Sequence, residues 1–407
     1  MSTIMLIDMD AYFASIEQKS NPHLCGKPIG VIGSGKRTII STASYEARAR
    51  GVKTGMNIYE ARKACPEIIL VVGNSRKYTH TCAGLAKIYM KYTPDVEVYS
   101  VDEAFLDITG TEHLFGGALR IGREIKSEIK RIFGINATIG ISYNKLMAKL
   151  ASDLSKPDGL KILNKEEAAA VLSELPTQEL WGIGRHTAEK LRSTGINTCG
   201  ELGRASLSML RSLFGVTGLR LKAMGQGLDD SPVSAQGLYD SETVKSIGHS
   251  MTLPKDVWKM TDIETHLLRL SEMVGRRARK HKYAGSIITL TIRYKSFETC
   301  TRQKKLGLPT NDTHGIFSTA LEIVKGQRLK EPVRLLGVTL SGLTEDGGQL
   351  SLFEEINKRR ALLSAVDSIN DRYGRSTVGW ALYALMGENG PGVISPAWRP
   401  HGIHNTK

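Results

Sequence analysis

The chain has 407 residues, with 55 Lys and Arg against 41 Asp and Glu, a formal net charge of +14. This length predicts two to four domains with proper cores, and 41% hydrophobic with 24% charged residues argues against intrinsic disorder, collagen-like repeats and a membrane bundle. The positive surplus exceeds what solubility needs and points to polyanionic partners, nucleic acid or acidic lipid head groups.

Ile4, Met5, Leu6 and Ile7 read as a short buried strand that ends in Asp8-Met9-Asp10 and becomes helical through Phe13, Ile16 and Glu17. With no basic region before it and Asp8 directly after it, the run is neither a signal peptide nor a membrane span. Residues 30–37 nearly match the phosphate loop GxxxxGK[ST]. Arg37, however, stands where the metal-binding hydroxyl belongs, and the following β-branched run 38–42 reads as strand, so a hairpin turn is expected. Residues 96–99 and 104–108 read as a β-hairpin with Asp102 and Glu103 at its tip. A helix over 118–133 precedes a third strand at 137–142, and strands separated by helices predict an α+β sheet domain.

Around 166–230 short helices broken by glycines predict a small helical domain. From Lys245 the order is strand, helix (262–282), strands (286–295 and 300–305), helix (316–329) and strand (333–341), the split-βαβ layout of a second α+β domain. Asp346-Gly347-Gly348 reads as a linker, and Ile356, Leu362, Leu363, Val366 and Ile369 suggest an amphipathic helix beyond it. Cys25, Cys65, Cys82, Cys199 and Cys300 form no CxxC pair or zinc-ligand spacing and read as small core hydrophobes in a reducing cytoplasm.

Buried-strand runs rarely end in carboxylates by accident of packing, because each desolvated charge is costly unless paired or metal-bound. If the strands before Asp8 and around Asp102 and Glu103 are neighbours, the three carboxylates meet at one sheet edge. They then form a hard-oxygen site suited to Mg²⁺ or Mn²⁺ rather than zinc. Three carboxylates can bridge two ions about 4 Å apart, the geometry used in phosphoryl and nucleotidyl transfer. On spacing alone the alternative stays open: a strand-end Asp caps the next helix and the tip pair is solvated.

Four segments, 7–17 (IDMDAYFASIE), 41–48 (STASYEAR), 100–107 (SVDEAFLD) and 156–159 (KPDG), stand in the order and at about the spacing of the Y-family translesion DNA polymerases. The chain resembles the bacterial DNA polymerase IV (DinB) branch most, over roughly residues 1–353. The resemblance implies a multidomain α+β right-hand polymerase. Its palm would be 1–10 and 75–165, its fingers 11–74, its thumb 166–232 with a helix-hairpin-helix element, its little finger 242–344, and its tail 345–407. It implies that Asp8, Asp102 and Glu103 hold two catalytic Mg²⁺ ions, with the Met9 carbonyl a further ligand. Phe13 matches the steric-gate aromatic that excludes a 2′-hydroxyl, and Tyr45, Arg48 and Lys156, joined by Thr42, match the residues that grip the triphosphate of the incoming dNTP. Arg forks onto phosphate oxygens and Lys adds a point charge. The region between Gly26 and Gly73 is rich in small residues, so a loosely covered nascent pair and low fidelity are expected. No second carboxylate constellation suggests a proofreading exonuclease.

Residues 180–191 (LWGIGRHTAEKL) resemble the helix-hairpin-helix element, in which Gly182 and Gly184 let backbone N–H groups approach a phosphate; Trp181 reads as a packing anchor. Within 242–344 there are 18 Lys or Arg against 9 Asp or Glu. In the strand 286–295, Arg293 and Lys295 are expected opposite the apolar face of Ile288, Leu290, Ile292 and Tyr294, with Arg302 and Lys304 extending that basic face. Lys245 and Ser246 open a strand resembling one that contacts template phosphates. Gln349, Leu350, Leu352 and Phe353 fit the QLxLF pattern by which bacterial polymerases dock on the sliding clamp. The expected partners are therefore primer-template DNA, dNTP and the clamp, for a cytoplasmic monomer with no membrane role. A UmuC-like subunit that needs partner proteins is distinguished by activity of the single chain, and a non-catalytic repair scaffold by DNA binding without nucleotide incorporation.

Overall fold

Strand β1 (Ile4–Met9) is buried along its whole length because it is the central strand of a five-stranded sheet, paired on both edges. The computed structural model describes residues 2–234, 244–346, 354–374 and 377–381. The described chain divides into two compact units, the first within 1–34 and 38–242 and the second within 35–37 and 243–390.

In the first unit Ala11 takes a left-handed φ of 44° after β1 and turns the chain into α1 (Tyr12–Ser20). A small sheet of order β3-β2-β4 follows, from β2 (Ile29–Ile32), β3 (Ile40–Ala43) and β4 (Ile69–Val72), with α2 (Tyr45–Arg48) and α3 (Ile58–Ala64) between β3 and β4. Helix α4 (Ser75–Tyr89) returns to the main sheet. There β5 (Val96–Val98), β6 (Glu103–Asp107), β7 (Ala137–Ser142) and β8 (Leu160–Ile162) complete the order β5-β6-β1-β7-β8. Two helices connect these strands: α5 (Ala118–Phe133), which buries Ile121, Ile125 and Ile129 at helical spacing, and α6 (Lys145–Ser155), capped by the Asn144 side chain. The expected hairpin after Gly30 is present as antiparallel β2 and β3, with Gly30 opposite Ala43 and Val31 opposite Thr42. So is the β5–β6 hairpin with Glu103 at the start of its second strand.

A single apolar core joins β1, β7, α1, α4 and α5 through Met5, Ile7, Tyr12, Phe13, Tyr78 and Ile139. A second cluster lies under the small sheet around Ile40, Ala61 and Ile68. The glycine-broken stretch forms α7 (Lys165–Glu174), α8 (Arg185–Arg192), α9 (Cys199–Arg204), α10 (Leu207–Phe214) and α11 (Thr217–Gly225). Trp181 packs edge-on against Tyr99 at 5.4 Å and tilted against Phe105 at 5.7 Å, the anchoring role expected of it. Of the cysteines, Cys65, Cys82 and Cys199 are buried as expected, Cys300 is half-buried, and Cys25 departs from the expectation by being exposed.

The second unit runs β9 (Ser246–Val257), α12 (Met260–Lys280), β10 (Tyr283–Tyr294), β11 (Thr299–Thr310), α13 (Thr313–Lys325) and β12 (Val333–Glu345), the anticipated β-α-β-β-α-β order, in a sheet ordered β11-β10-β12-β9. Ile288, Leu290, Ile292 and Tyr294 are buried as one face of β10. Register corrects the expectation for two basic residues. Arg302 is paired with Leu290 and Lys304 with Ile288, and directly paired residues share a face. Arg302 and Lys304 therefore stand on the same side as Leu290 and Ile288, though both are exposed, and Lys304 pairs with Glu322 of α13 at 2.5 Å. The face of Arg293 is continued across β11 by Thr299, Thr301, Gln303 and Lys305. Helix α14 (Glu354–Tyr373) docks on α12 through charge: Arg279 forks onto both carboxylate oxygens of Asp367 and Arg276 meets Asp371 at 2.7 Å. Its apolar residues do not form one buried stripe, since Leu362 and Ile369 are exposed.

The fold depends on a close approach between β7 and α6. A Cβ built on Gly140 would lie 2.1 Å from the Ala148 carbonyl oxygen and 2.3 Å from the Ser152 nitrogen, both backbone atoms. Gly140→Ala is expected to destabilise the first unit by about 3 kcal/mol, read as a lowered urea midpoint; an unchanged midpoint would show that α6 has room to shift.

Candidate active site

The β1–β6 pairing sets Asp8 directly opposite Glu103, and the Met9 N–H donates to the Asp102 carbonyl at 2.9 Å, closing the hairpin tip against the end of β1. Strand pairing therefore sets Asp8 beside Glu103, and the backbone of Asp102 lies next to the end of β1. Asp8 is 5% exposed. The Ser100 hydroxyl donates to Asp102 Oδ1 at 2.6 Å. Burial raises the pKa of Asp102, and burial together with the charge of Asp8 raises that of Glu103.

Two lysines answer this negative charge. Lys149 lies one residue beyond Ala148, at the point where α6 touches β7. Its ammonium donates to Asp8 Oδ2 at 2.8 Å and to Glu103 Oε1 at 2.5 Å. Lys156, just past the end of α6, donates to the same Asp8 oxygen at 2.5 Å. Burial would raise the pKa of Asp8, but the two ammoniums outweigh it and hold the carboxyl below the usual range. Among the described residues no three carboxylate, imidazole or thiol groups converge on one cation-ligating point. Asp8 and Glu103 meet on Lys149, while Asp102 is hydrogen-bonded to Ser100. The donor set nevertheless has the chemistry a hard divalent cation takes, oxygen atoms only, at the end of the central strand β1. Lys149 was not singled out from sequence. Its signal is the spacing Lys145, Lys149, one helical turn apart at the start of α6 among Leu146, Met147, Ala148, Leu150 and Ala151.

Asp10, also missed, is 3% exposed. It accepts from the Tyr45 hydroxyl (3.2 Å), the Thr138 hydroxyl (2.9 Å) and the Asp158 backbone N–H (2.8 Å). Burial and the Asp10 carboxylate push the Tyr45 phenol up to about 12, so it remains a donor at neutral pH. The Arg48 guanidinium lies 5.0 Å over the Tyr45 ring and its Nε donates to the Ala43 carbonyl. Thr42 is half-buried on β3, opposite Val31. Phe13 is buried and stacks on Tyr78 at 4.2 Å, with Tyr12 tilted beside it at 5.6 Å. The Tyr78 hydroxyl donates to the buried Glu17, which fixes the ring beneath Phe13.

The remaining sequence candidates lie away from this cluster. Gly182 takes φ +93°, and Gly184 precedes α8 as its N-terminal cap. In the second unit Lys245 and Ser246 stand at the start of β9, while Lys295 follows β10 and donates its N–H to the Pro332 carbonyl. Gln349, Leu350, Leu352 and Phe353 lie outside the described residues.

Replacing Lys149 by Met keeps the chain length but leaves Asp8 and Glu103 with one ammonium fewer in a buried setting. Loss of one partner of a buried ion pair costs about 3–5 kcal/mol, so Lys149→Met is expected to lower unfolding stability by that order at neutral pH in denaturant titration. A wild-type midpoint would mean that Lys156 suffices.

The impB/mucB/samB family model matches residues 7–153, the model of its C-terminal domain matches 244–352, and a DNA polymerase-iota thumb domain model matches 178–229. The chain is 38% identical over 379 residues to a DNA polymerase IV of Pelotomaculum thermopropionicum, covering 92% of this chain and 94% of that one. It is 36% identical to DNA polymerase IV 1 of Bacillus subtilis, covering 92% and 91%. Among solved structures, the Y-family DNA polymerase chimera Dbh-Dpo4(243-245)-Dbh aligns with a TM-score of 0.73 at 28% identity, covering 84% of this chain and 99% of that one. With strand-end carboxylates, a helical thumb and a split-βαβ domain in the same order, the chain belongs to the Y family of DNA polymerases, in the DNA polymerase IV group, and is a DNA-directed DNA polymerase.

Proposed function

We propose that this polymerase performs low-fidelity synthesis past damaged template bases, using Mg²⁺, with Mn²⁺ as a substitute. The observation that carries the reading is the pairing of Asp8 with Glu103 beside the Asp102 tip. Asp8, Asp102, Glu103 and the Met9 carbonyl are the groups that would hold two ions. Bound there, such ions would supply activation of the primer 3′-hydroxyl and charge to offset that developing on the phosphates. The 3′-oxygen forms a bond to the α-phosphorus of the dNTP as the bond to pyrophosphate breaks. Tyr45, Arg48, Lys156 and Thr42 orient the triphosphate so that attack is in line. Phe13, held flat by Tyr78, meets the sugar and excludes a 2′-hydroxyl.

The division of labour proposed is a palm of 1–10 and 75–165, fingers of 11–74, a thumb of 166–232, a little finger of 242–344 and a tail of 345–407. In the thumb, Gly182 and Gly184 approach a DNA phosphate without reading sequence. Lys245, Ser246, Arg293 and Lys295 meet the duplex backbone. Arg302 and Lys304 are left out of that surface, because their register places them on the helix side. The segment from Gln349 to Phe353 is the proposed clamp-docking peptide, for a cytoplasmic monomer. Among the described residues no helix is long and apolar enough to cross a membrane.

Primer extension with the purified chain and Mg²⁺ tests the assignment. Asp102→Asn is expected to lose about a hundred- to a thousandfold in extension rate, as removal of a charge-stabilising group does, and extension at the wild-type rate would sink the catalytic reading. Phe13→Ala is expected to admit ribonucleotides with dNTP incorporation retained; an unchanged sugar preference removes the gate role.

A further inference from the structure

The carboxylate of Asp10, two residues beyond Asp8, takes its own set of partners, and all three are donors from separate segments. Thr138 belongs to β7 and stands opposite Asp8 in the β1–β7 register, so it is fixed to the main sheet. Tyr45 opens α2 and carries the Arg48 guanidinium over its ring. Asp158 is two residues past Lys156, in a turn where it takes φ 54°. That turn is held from its other side by Lys126, whose ammonium donates to the carbonyls of Asp158 (2.6 Å), Ala137 (2.7 Å) and Gly159 (3.1 Å).

We propose that Asp10 is a positioning residue for the incoming nucleotide. Its buried carboxylate sets the distance between the Tyr45–Arg48 pair and Lys156, and with it the span of the triphosphate grip. The proposal rests on the reading of Tyr45, Arg48 and Lys156 as that grip. Asp10 itself need not touch the nucleotide: it acts through two groups that do.

The hydrogen-bonding chemistry predicts how substitutions rank. The Asp158 N–H can only donate, so it requires an acceptor oxygen, whereas the Tyr45 and Thr138 hydroxyls can donate or accept. Asn at position 10 can keep its amide oxygen on Asp158 and donate from its NH₂ group to a hydroxyl. Ala removes all three contacts at once, leaves a buried N–H without its partner and uncouples the two halves of the grip. Misplacement by about 1 Å is enough to cost up to ~100-fold in reaction efficiency.

The test is steady-state insertion of one dNTP by the full-length chain on a primer-template with Mg²⁺. Asp10→Ala is expected to raise KM for dNTP about tenfold while kcat falls by less than about threefold; Asp10→Asn should stay within about threefold of wild type in both. Thr138→Val, which deletes a single donor from the network, should raise KM in the same direction by a smaller factor, and it carries the test if Asp10→Ala does not fold. Lys156→Ala addresses the underlying reading: an unchanged KM there means that the grip assignment has failed, whatever Asp10 does. If Lys156→Ala raises KM but Asp10→Ala does not, or Asp10→Asn is as impaired as Asp10→Ala, the positioning role is overturned. With Asp10→Ala unfolded, a wild-type KM in Thr138→Val has the same consequence.

Discussion

The first unit is organised around the neutralisation of carboxylates at the end of a central strand. Asp8 and Glu103 are directly paired across β1 and β6, which without compensation places two like charges side by side in a largely desolvated site. The ammonium of Lys149 between them makes this arrangement tolerable, and it gets there only because α6 lies almost on top of β7. Gly140 permits that approach, since any side chain would meet the backbone of α6. The Asn144 cap starts the helix in the right phase, and Lys156 just beyond its end adds a second cation on the same Asp8 oxygen. A local electrostatic need is thus met by sheet register, a glycine and the phase of one helix.

The same principle links distant segments around the site. Asp10 gathers hydroxyl and N–H donors from β7, α2 and the turn after α6, while Glu17 gathers Tyr78 and Lys77 beneath Phe13. Asp8 and Asp10, two residues apart, therefore have separate duties: Asp8 is balanced by ammonium ions and Asp10 by neutral donors. A neutral donor shell favours precise placement, because each hydrogen bond has a direction as well as a length. An ammonium, with three rotatable donors, supplies charge with less geometric demand. The second unit uses charge differently again. Its helix α14 is held on α12 by Arg–Asp pairs, so part of its basic surplus is spent internally and not on a partner.

Much of this was legible in the residues. The carboxylates at 8, 102 and 103, the hairpin that carries two of them, the β2–β3 turn that imitates a phosphate loop and the order of elements after Lys245 all follow from short-range pattern. Strand alternation and turn chemistry are local properties. The face of Arg302 and Lys304 was not legible in the same way. Parity within one strand can be counted along the chain, but parity between β10 and β11 depends on the register set by their connection, and a slip of one residue exchanges the faces. The roles of Lys149 and Asp10 are not legible for a related reason. A lysine on a helix and an aspartate after a strand have ordinary solvated or capping roles in most settings, and only burial beside specific partners gives them another.

What the sequence determined by itself is the inventory and its order: which strands end in carboxylates, where the small helical segment lies, and which half of the chain carries most of the positive surplus. These are settled by composition and by periods of two or 3.6 residues, which do not depend on distant parts of the chain. Only the tertiary structure decided which charges neutralise each other, which basic residues share a face, and which side chains hold the site in place without belonging to it. Those outcomes depend on contacts between residues as far apart as Asp8 and Lys149 or Asp10 and Asp158. Such contacts are fixed by packing and register, and no local pattern encodes them.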